Sequence, residues 1–186
     1  MIDRIAQALA DVGGCAWVVG GTVRDTLLRI QPHDIDVEVY NLTVEKIIET
    51  LSVFGQIDEV GRSFGILKLK IDEKEYDVSL PRSDSKVADG HKGFIVNADP
   101  FMSPKEAARR RDFTINAIMY NPLTGEFFDP FGGMKDLHNR VLRIVDPITF
   151  KEDPLRILRA MQFISRFNLT VDPDSMEYMK GMLKCC

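Results

Sequence analysis

The stretch VVGGTVRDTLLRIQPHDIDVEVY, residues 18–40, decides the fold, because it holds a strand, a short helix and a second strand in succession. Gly20 and Gly21 follow the first strand, and residues without a Cβ allow a backbone to approach a ligand closely. Thr22 is predicted to cap the helix, whose free N–H groups at the N-terminus suit phosphate oxygens. Arg24 is expected in the first turn, where a cation opposes the helix dipole unless a polyanion binds there. The apolar side of the helix is predicted to carry Val23, Leu27 and Ile30.

The second strand alternates carboxylates with apolar residues after Pro32 ends the helix. Strand side chains point to opposite faces in turn, so Asp34, Asp36 and Glu38 are predicted to share one face. Neighbouring carboxylates repel each other unless a cation lies between them, and Mg²⁺ prefers one or two carboxylates together with substrate phosphates. The opposite face, toward the core, is predicted to carry Ile35, Val37 and Val39.

A simpler explanation of the Asp-Ile-Asp sequence, taken alone, is an acidic edge strand in contact with solvent. The glycine pair, the arginine and the acidic strand occur within one strand–helix–strand unit. This combination favours a site for phosphate and metal over a solvated strand face.

The composition limits the class of protein. The chain has 186 residues, 45% of them hydrophobic and 28% charged, which is ordinary for a globular protein with a buried core. Its net charge of −4 argues against a generally basic RNA-coating protein, so contact with nucleic acid would require a local basic patch. The cysteines form neither a disulfide framework nor a zinc pattern. No signal peptide or long apolar span is evident, so the cytoplasm is the expected location.

Periodicity predicts further amphipathic helices and a β-hairpin outside the central stretch. Asp77 lies on the polar side of the returning strand of this hairpin. It would be a third carboxylate beside Asp34 and Asp36 if the two strands are neighbours, and a solvated strand aspartate is the alternative. The predicted elements are a helix over 2–12, a helix over 43–52 capped by Thr43, a strand over 64–71 and a returning strand over Glu75–Leu80.

Residues 82–93, RSDSKVADGHKG, are predicted to form a polar loop. Loops of this length inside a compact domain are often functional. His91 is the candidate general base here by residue type, and we interpret it as an ordinary loop histidine.

The next stretch with a clear signal begins at residue 103. Ser103 with Glu106 forms a capping box, which predicts the start of a helix. Arg109–Arg111 are predicted to lie on this helix, pointing about 100° apart, so they cannot all contact one ligand. One of them would pair with a triphosphate, and a solvated basic helix face is the alternative. The surroundings of that arginine would be fixed by Asp112 and Asn116, and the buried residues are predicted to be Ile115, Ile118 and Met119.

Residues 121–147 are predicted to form turns, short strands and a helix over Met134–Asn139. Phe127 and Phe128 are predicted to be core residues.

The last informative helix is predicted over residues 149–167. Asp153, Arg156 and Arg159 are three residues apart and would line one stripe of it. A carboxylate beside a guanidinium offers an acceptor and several donors in fixed geometry, which imitates a Watson–Crick edge. The spacing alone favours a simple helix salt bridge, worth about 0.3–0.5 kcal/mol. The other side of the helix is predicted to carry Leu155, Leu158 and Phe163.

Taken together, the motifs resemble the catalytic head of class II tRNA nucleotidyltransferases, which comprise CCA-adding enzymes, A-adding enzymes and bacterial poly(A) polymerases. The resemblance implies an α/β (α+β) fold, a polymerase-β-like nucleotidyltransferase head with a mixed sheet flanked by helices. It also implies a head over residues 1–147 and the start of a helical neck over 148–186, without the body and tail of complete relatives. The motifs are GGTVRD and DID within 20–36, RRDFTINA at 110–117, DPFGGMKDL at 129–137 and EDPLRILR at 152–159.

The resemblance also implies residue roles. Asp34 and Asp36 would be catalytic and would bind Mg²⁺, and Asp112 would be associated with the ribose. In the family, the helix with the EDPLRILR motif selects the nucleobase, and many members have an arginine where this chain has Gln162, which puts one nucleotide contact in doubt. The implied nucleotide-binding residues are Gly21, Arg24, Arg111, Asp153, Arg156 and Arg159, with Asp153 and Arg156 reading C or A and Arg159 assisting.

The implied activity is template-independent transfer of CMP and AMP from CTP and ATP to the 3′ end of tRNA by two-metal-ion catalysis. The partners would be the tRNA 3′ end, CTP and ATP, and no membrane. An A-adding enzyme, a poly(A) polymerase head and a non-catalytic nucleotide- or RNA-binding module are the alternatives. The intact Asp34 and Asp36 pair argues against the non-catalytic one.

Overall fold

The computed structural model describes residues 1–59, 61, 65–86 and 94–183, and the chain forms two compact units. The predicted boundary between residues 147 and 148 stays a prediction. No helix within the described ranges is long and apolar enough to cross a membrane. The first unit comprises Met1–Ala107 and Met119–Phe128, and the second comprises Ala108–Ile118 and Asp129–Cys186.

The helices of the first unit connect strands of its main sheet or precede them. They are α1 (Ile2–Asp11), α2 (Gly20–Leu27), α3 (Val44–Leu51) and α4 (Pro104–Arg109), whose last two residues belong to the second unit. The strands are β1 (Cys15–Val19), β2 (Ile35–Tyr40), β3 (Gln56–Asp58), β4 (Ile66–Ile71), β5 (Lys74–Ser79), β6 (Arg82–Lys86), β7 (Phe94–Ala98), β8 (Met119–Tyr120) and β9 (Phe127–Phe128).

Seven strands form a mixed sheet in the order β3-β4-β5-β2-β1-β8-β9, which confirms the predicted mixed sheet flanked by helices. The pair β2–β5 is parallel, while the other strand pairs described in this sheet are antiparallel. Alternate strand residues form the core with α1 and α3 on one face of the sheet. This core includes Ile5, Leu9, Val37, Val39, Ile47, Leu51, Leu69 and Val78.

The predicted helices over 2–12 and 43–52 are confirmed as α1 and α3. The Thr43 hydroxyl accepts a hydrogen bond from the backbone N–H of Lys46 at 3.3 Å, so the predicted cap is also confirmed. The predicted hairpin corresponds to β4 and β5, which pair in antiparallel register.

The prediction of a polar loop over residues 82–93 was wrong for its first residues. Arg82–Lys86 forms β6, which pairs with β7 in a two-stranded antiparallel ribbon. Backbone hydrogen bonds hold such a ribbon, and they do not need the apolar alternation on which the prediction relied. Residues 87–93, with His91, lie outside the described residues.

Phe127 was wrongly predicted to be a core residue, since it is 45% exposed. It lies on β9, at the edge of the sheet, where one side of the strand has no neighbour in the sheet. Its ring contacts Tyr120 at a centroid distance of 5.0 Å, while the half-buried Phe128 contacts Trp17 at 6.1 Å.

The second unit packs short elements around aromatic side chains. Phe113 contacts Phe150 and Phe163 edge to face, at centroid distances of 5.5 and 5.8 Å. The elements of the second unit are a 3₁₀ turn (Thr114–Asn116), α5 (Gly133–His138), β10 (Val141–Leu142), α6 (Pro147–Phe150), α7 (Leu155–Phe167), β11 (Thr170–Val171) and α8 (Pro173–Leu183).

The helix that begins at the Ser103–Glu106 capping box ends at Arg109, so the prediction that all three arginines lie on it was wrong. The box itself is confirmed by reciprocal bonds between the two residues. The chain leaves the helix because Phe113 forms a β-bridge with Ile144. The predicted buried residues Ile115, Ile118 and Met119 are confirmed.

The helix predicted over 149–167 is divided into α6 and α7, so Asp153 lies before α7 rather than on its stripe. A residue that precedes proline is disfavoured in helical conformation, and Pro154 follows Asp153 directly. Leu155 and Leu158, which were predicted to share one side of the helix with Phe163, are 50% and 55% exposed. The buried face of α7 consists of Ile157, Ala160, Phe163 and Phe167, so Phe163 is the member of that predicted set that is buried.

Candidate active site

Two carboxylates lie in register on the sheet face opposite α1 and α3, and a third precedes one of them in the chain. The parallel register of β2 and β5 sets Asp36 beside Asp77, which meets the condition under which Asp77 was predicted to be a third carboxylate. Asp34 is exposed and lies directly before β2. Asp34, Asp36 and Asp77 together form a carboxylate row.

Glu38 was predicted to share this face with the two aspartates. Its position agrees, but the side chain is only 1% exposed and accepts a hydrogen bond from the Tyr40 hydroxyl at 2.5 Å. Glu38 is therefore a buried structural carboxylate, and it is not counted with the carboxylate row.

Thr22 joins α2 to the start of β2. Its Oγ1 accepts a hydrogen bond from the backbone N–H of Asp36 at 2.9 Å, and it lies 3.2 Å from the carbonyl oxygen of Asp34. The same hydroxyl lies 3.4 Å from Oδ2 of Asp36. The prediction that Thr22 caps the helix was wrong, because α2 begins at Gly20 with Val19 as its N-cap. The threonine instead fixes the backbone that carries both aspartates.

The glycine pair and Arg24 lie together on α2. Gly20 has a φ of 63°, a backbone conformation that favours glycine. A Cβ on Gly21 would lie 3.4 Å from Nη2 of Arg24, so the guanidinium borders this glycine. Arg24 is buried and forms an ion pair with Asp25 at 2.7 Å.

Two predictions about α2 were wrong. Arg24 lies in the last turn, where a cation is favoured by the helix dipole, so the electrostatic argument for a polyanion at this position does not hold. Ile30 lies beyond the helix and is exposed, while Val23 is buried as predicted. The helix ends at Leu27, earlier than the apolar spacing of its sequence suggested.

Lys68 is a site residue that the sequence interpretation did not identify. It lies on β4 in register with Asp77, and its Nζ is 3.1 Å from Oδ1 of that aspartate. The hydrogen bond and the charge of Asp77 raise the pKa of Lys68, and the charges of Glu75 and Asp34 add to this effect. The sequence contains a pattern that could have identified it. Lys68 is a polar residue between the apolar Leu67 and Leu69, and Asp77 has the same polar position on the returning strand of the hairpin.

The chemistry of these side chains fits a hard divalent cation. Carboxylate oxygens are the ligands that Mg²⁺ prefers, and an ammonium group already bonds to one of them. Within the described part of the chain, no group of three or more His, Cys, Asp or Glu side chains converges closely enough to hold a metal. The carboxylate row fits Mg²⁺ in the chemical type of its ligands, and the strand register sets Asp36 beside Asp77.

In the second unit, Arg156 is held by the backbone of the arginine segment, Arg109–Arg111. Its Nη2 donates to the carbonyl oxygen of Arg110 at 2.9 Å, while its buried Nη1 has no hydrogen-bond partner. Asp153 accepts a hydrogen bond from the backbone N–H of Leu155 at 2.9 Å. No ion pair between Asp153 and Arg156 occurs among the described residues, so the structure does not form the simple helix salt bridge.

Asp112 is a buried acceptor for three donors in this unit. Its Oδ1 accepts hydrogen bonds from the Phe113 N–H at 2.8 Å and from Asn116 Nδ2 at 2.9 Å. Its Oδ2 accepts one from Nε of Arg159 at 2.7 Å. Asn116 therefore contacts Asp112, as expected, while Arg159 is committed to an ion pair.

The consecutive arginines differ in their surroundings. Arg109 donates to Asp146 at 2.5 Å, and Arg111 is half-buried. Gln162, where many family members have arginine, is exposed on α7. The structure thus places the predicted residues in two sets, one in each unit: Gly21, Arg24, Asp34 and Asp36 in the first, and Arg111, Asp153, Arg156 and Arg159 in the second.

The DPFGGMKDL motif holds α5 in place. Asp129 accepts hydrogen bonds from the backbone N–H groups of Gly133 at 2.7 Å and Met134 at 2.9 Å. The buried Asp136 accepts from the Thr114 hydroxyl at 2.7 Å and from Arg143 at 3.1 Å. These contacts give the motif a structural role in the second unit.

Comparison with known proteins decides the family. Residues 16–143 match the profile of the Poly A polymerase head domain. The chain belongs to this head-domain family. Its carboxylate row and its arginine segment lie within the matched residues, while α7 follows them.

Similar proteins are named as CCA proteins or CCA-adding enzymes. The chain is 40% identical over 169 residues to the Multifunctional CCA protein of Stenotrophomonas maltophilia strain R551-3, and the match covers 89% of this chain and 40% of that protein. It is 40% identical over 168 residues to the CCA-adding enzyme of Coxiella burnetii strain RSA 331 / Henzerling II, covering 90% of this chain and 42% of that protein. The head-domain chain thus spans about two fifths of the length of these relatives.

Solved structures give the same picture of the head domain. The Bacillus stearothermophilus CCA-adding enzyme in complex with CTP matches with a TM-score of 0.77 at 29% identity, covering 95% of this chain and 41% of that one. A CCA-adding enzyme in complex with ATP matches with a TM-score of 0.82 at 28% identity, covering 98% and 40%. The fold is therefore shared over almost the whole chain.

Proposed function

We propose that this chain is the catalytic head of a nucleotidyltransferase that adds CMP and AMP from CTP and ATP to the 3′ end of tRNA. The observation that carries the reaction class is the carboxylate row, with Asp36 and Asp77 in register on neighbouring strands. The substrates are supported by the relatives named CCA-adding enzymes, of which solved examples are complexes with CTP and with ATP.

The carboxylate row would hold Mg²⁺, with Asp34 and Asp36 as the main ligands and Asp77 as a third. When bound, such ions neutralise phosphate charge and lower the pKa of a hydroxyl that attacks a phosphorus atom. Thr22 keeps the backbone of both aspartates in place through its bond to the Asp36 N–H. Transfer of a nucleotidyl group depends on positioning and charge neutralisation more than on covalent chemistry of the protein.

The triphosphate would be bound by Gly21 and Arg24 in the first unit. Arg111, a residue of the second unit, is also proposed as a nucleotide-binding residue. Gly21 presents backbone without a Cβ beside the guanidinium of Arg24. The ion pair with Asp25 holds that guanidinium in one orientation, and a fixed fork of donors suits phosphate oxygens.

The nucleobase would be read by Asp153 and Arg156, with Arg159 assisting. Arg156 is fixed through Nη2 by the Arg110 carbonyl, and its Nη1 still lacks a partner. A fixed donor beside a carboxylate acceptor matches the pattern that distinguishes cytosine and adenine from the other bases. The protein would then act as its own template.

A poly(A) polymerase or A-adding head is the second candidate, and the name of the matched family favours it. Both candidates use the same carboxylate row, so they differ in nucleotide choice and acceptor. The proposed division into a head over residues 1–147 and a helical neck from residue 148, and a location in the cytoplasm, belong to the same proposal.

The test is nucleotide incorporation by the purified chain with Mg²⁺. Three tRNAs would be used, which end before the first C, after the first C and after both C residues, each with labelled CTP or ATP. Addition of C to the first two and of A to the third is expected. Addition of A alone would support the second candidate. Binding of triphosphate without any transfer would contradict catalysis by this chain alone.

A further inference from the structure

Lys68 lies at the centre of an acidic surface. Its Nζ is 3.1 Å from Oδ1 of Asp77 and 3.8 Å from Oε2 of Glu75. The strands set Lys68, Asp77 and Asp36 in one continuous row across β4, β5 and β2. An ammonium group therefore forms an ion pair with a carboxylate that lies beside Asp36.

The charges around this lysine are unbalanced. Two carboxylates, Asp77 and Glu75, lie within ion-pair distance of one ammonium group, so negative charge exceeds positive charge beside Lys68. The lysine side chain is about half exposed, so it can leave Asp77 without breaking packing in the core. A divalent cation that binds Asp77 must displace the ammonium or accept its repulsion at close range.

We propose that Lys68 is an internal counter-cation of the carboxylate row, which occupies Asp77 in the metal-free protein and so raises the concentration of divalent cation needed to fill the site. The inference rests on the proposed metal-binding role of Asp34, Asp36 and Asp77. Lys68 is thus a positioning residue, which acts on the metal site through Asp77. With Lys68 in place, the carboxylate row would be half occupied at a higher concentration of divalent cation than without it.

Lys70 provides a matched control on the same strand. It is exposed and points to the same face as Lys68, but it is in register with Glu75 rather than with Asp77. Replacing either lysine with methionine removes one positive charge and keeps a side chain of similar length. Any difference between Lys68→Met and Lys70→Met therefore reports the position of the charge, not the net charge.

The experiment is a titration of the 186-residue chain with Mn²⁺, in which electron paramagnetic resonance measures the free ion. Lys68→Met is expected to bind Mn²⁺ about fivefold more tightly than the wild type, because a nearby positive charge has been removed. Lys68→Arg should stay within about twofold of the wild type, and so should Lys70→Met. Unfolding midpoints of the variants would show that each remains folded.

A double variant tests whether Asp77 transmits the effect. In the Asp77→Asn background the ammonium has lost its nearest carboxylate and no longer competes with the metal for it, so Lys68→Met should change Mn²⁺ affinity by less than about twofold. Equal affinities for the wild type and Lys68→Met, or tighter binding in both lysine variants, would overturn the inference and leave the metal site intact. Absence of Mn²⁺ binding that depends on Asp36 would overturn both the inference and the proposed metal site.

Discussion

Nε of Arg159 donates a hydrogen bond to Oδ2 of Asp112 at 2.7 Å, so a half-exposed arginine is bonded to a carboxylate that is only 6% exposed. The pair joins α7 to the segment that follows the consecutive arginines, inside the second unit. Asp112 cannot release Arg159 without leaving a buried charge with fewer donors. The pair is therefore a structural link between two motifs that were interpreted separately as nucleotide contacts.

Replacing Asp112 with alanine is expected to lower the free energy of unfolding by about 3 kcal/mol, because buried donors lose their acceptor. Arg159→Gln should cost about 1 kcal/mol, since its guanidinium is half exposed and two donors to Asp112 remain. Denaturant unfolding measures both values. Equal losses in the two variants would contradict this, because they would mean that Asp112 contributes to the free energy of unfolding only through its ion pair with Arg159.

Asp34→Ala is expected to lower the rate of nucleotide transfer by at least about a hundredfold while the fold stays intact. Asp34 is exposed and lies outside the core, so its removal disturbs no packing. Single-turnover incorporation measures the rate, and thermal unfolding checks the fold. Asp3→Ala, which removes an exposed carboxylate on α1, is the control. A rate near that of the wild type in Asp34→Ala would rule out the proposed role of this aspartate in metal binding.

Asp153→Ala is expected to reduce discrimination among nucleoside triphosphates by about tenfold, because a site loses selectivity when it loses a hydrogen-bonding partner for the base. The ratio of CTP to ATP incorporation on a tRNA that ends before the first C measures this. Glu152→Ala removes the neighbouring carboxylate and should leave the ratio unchanged. A constant ratio in Asp153→Ala would remove Asp153 from base selection.

The capping box gives a prediction for pH. Hydrogen bonds from the Ser103 hydroxyl, and then from its backbone N–H, hold the pKa of Glu106 below its ordinary value. The contribution of Glu106 to folding is therefore fully present above the unfolded pKa of about 4.3 and is lost as the pH falls through the lower folded pKa. In Ser103→Ala the pKa of Glu106 should rise toward the unfolded value. An NMR titration of the Glu106 side-chain carboxyl carbon measures it, and an unchanged pKa in the variant would contradict the assignment to Ser103.

Gly133 allows α5 to approach the 3₁₀ turn closely. A Cβ at this position would lie 2.0 Å from the carbonyl oxygen of Thr114, so Gly133→Ala is expected to cost at least about 3 kcal/mol in the free energy of unfolding. Gly181→Ala on α8 is the control, since nothing lies within 4 Å of its Cβ position. It should stabilise the protein by about 0.5–1 kcal/mol. Similar effects in denaturant unfolding would show that the backbone at Gly133 moves freely.

The acidic strand could be predicted because a period of two is a local property of the sequence. Asp34 and Asp36, the helices α1 and α3, and the capping box at Ser103 follow from residues close together in the chain. The partner strand of β2 could not be predicted, since pairing depends on the whole sheet. Asp77 and Lys68 therefore joined the site only once the register was known.

The errors concern residues whose local preference lost to a tertiary contact. Helical periodicity continued past Arg109, but the bridge between Phe113 and Ile144 took the chain out of the helix. Leu155 and Leu158 look like core residues by composition, yet α7 buries a different face. Thr22 has the chemistry of a cap, and the structure uses its hydroxyl on β2 instead.

Because β2 and β5 run parallel, the chain must return to the same end of the sheet before Asp77 can stand beside Asp36. Contacts between distant parts of a sequence form late in folding, since the entropy of closing the loop is lost before the contact is gained. A polypeptide emerging from the ribosome would therefore carry no complete carboxylate row until β5 had been synthesised and paired. Under the proposed metal-binding role, the ability to hold a divalent ion would arise once β5 has paired with β2, before the chain has supplied β8 and β9, the last two strands of the sheet.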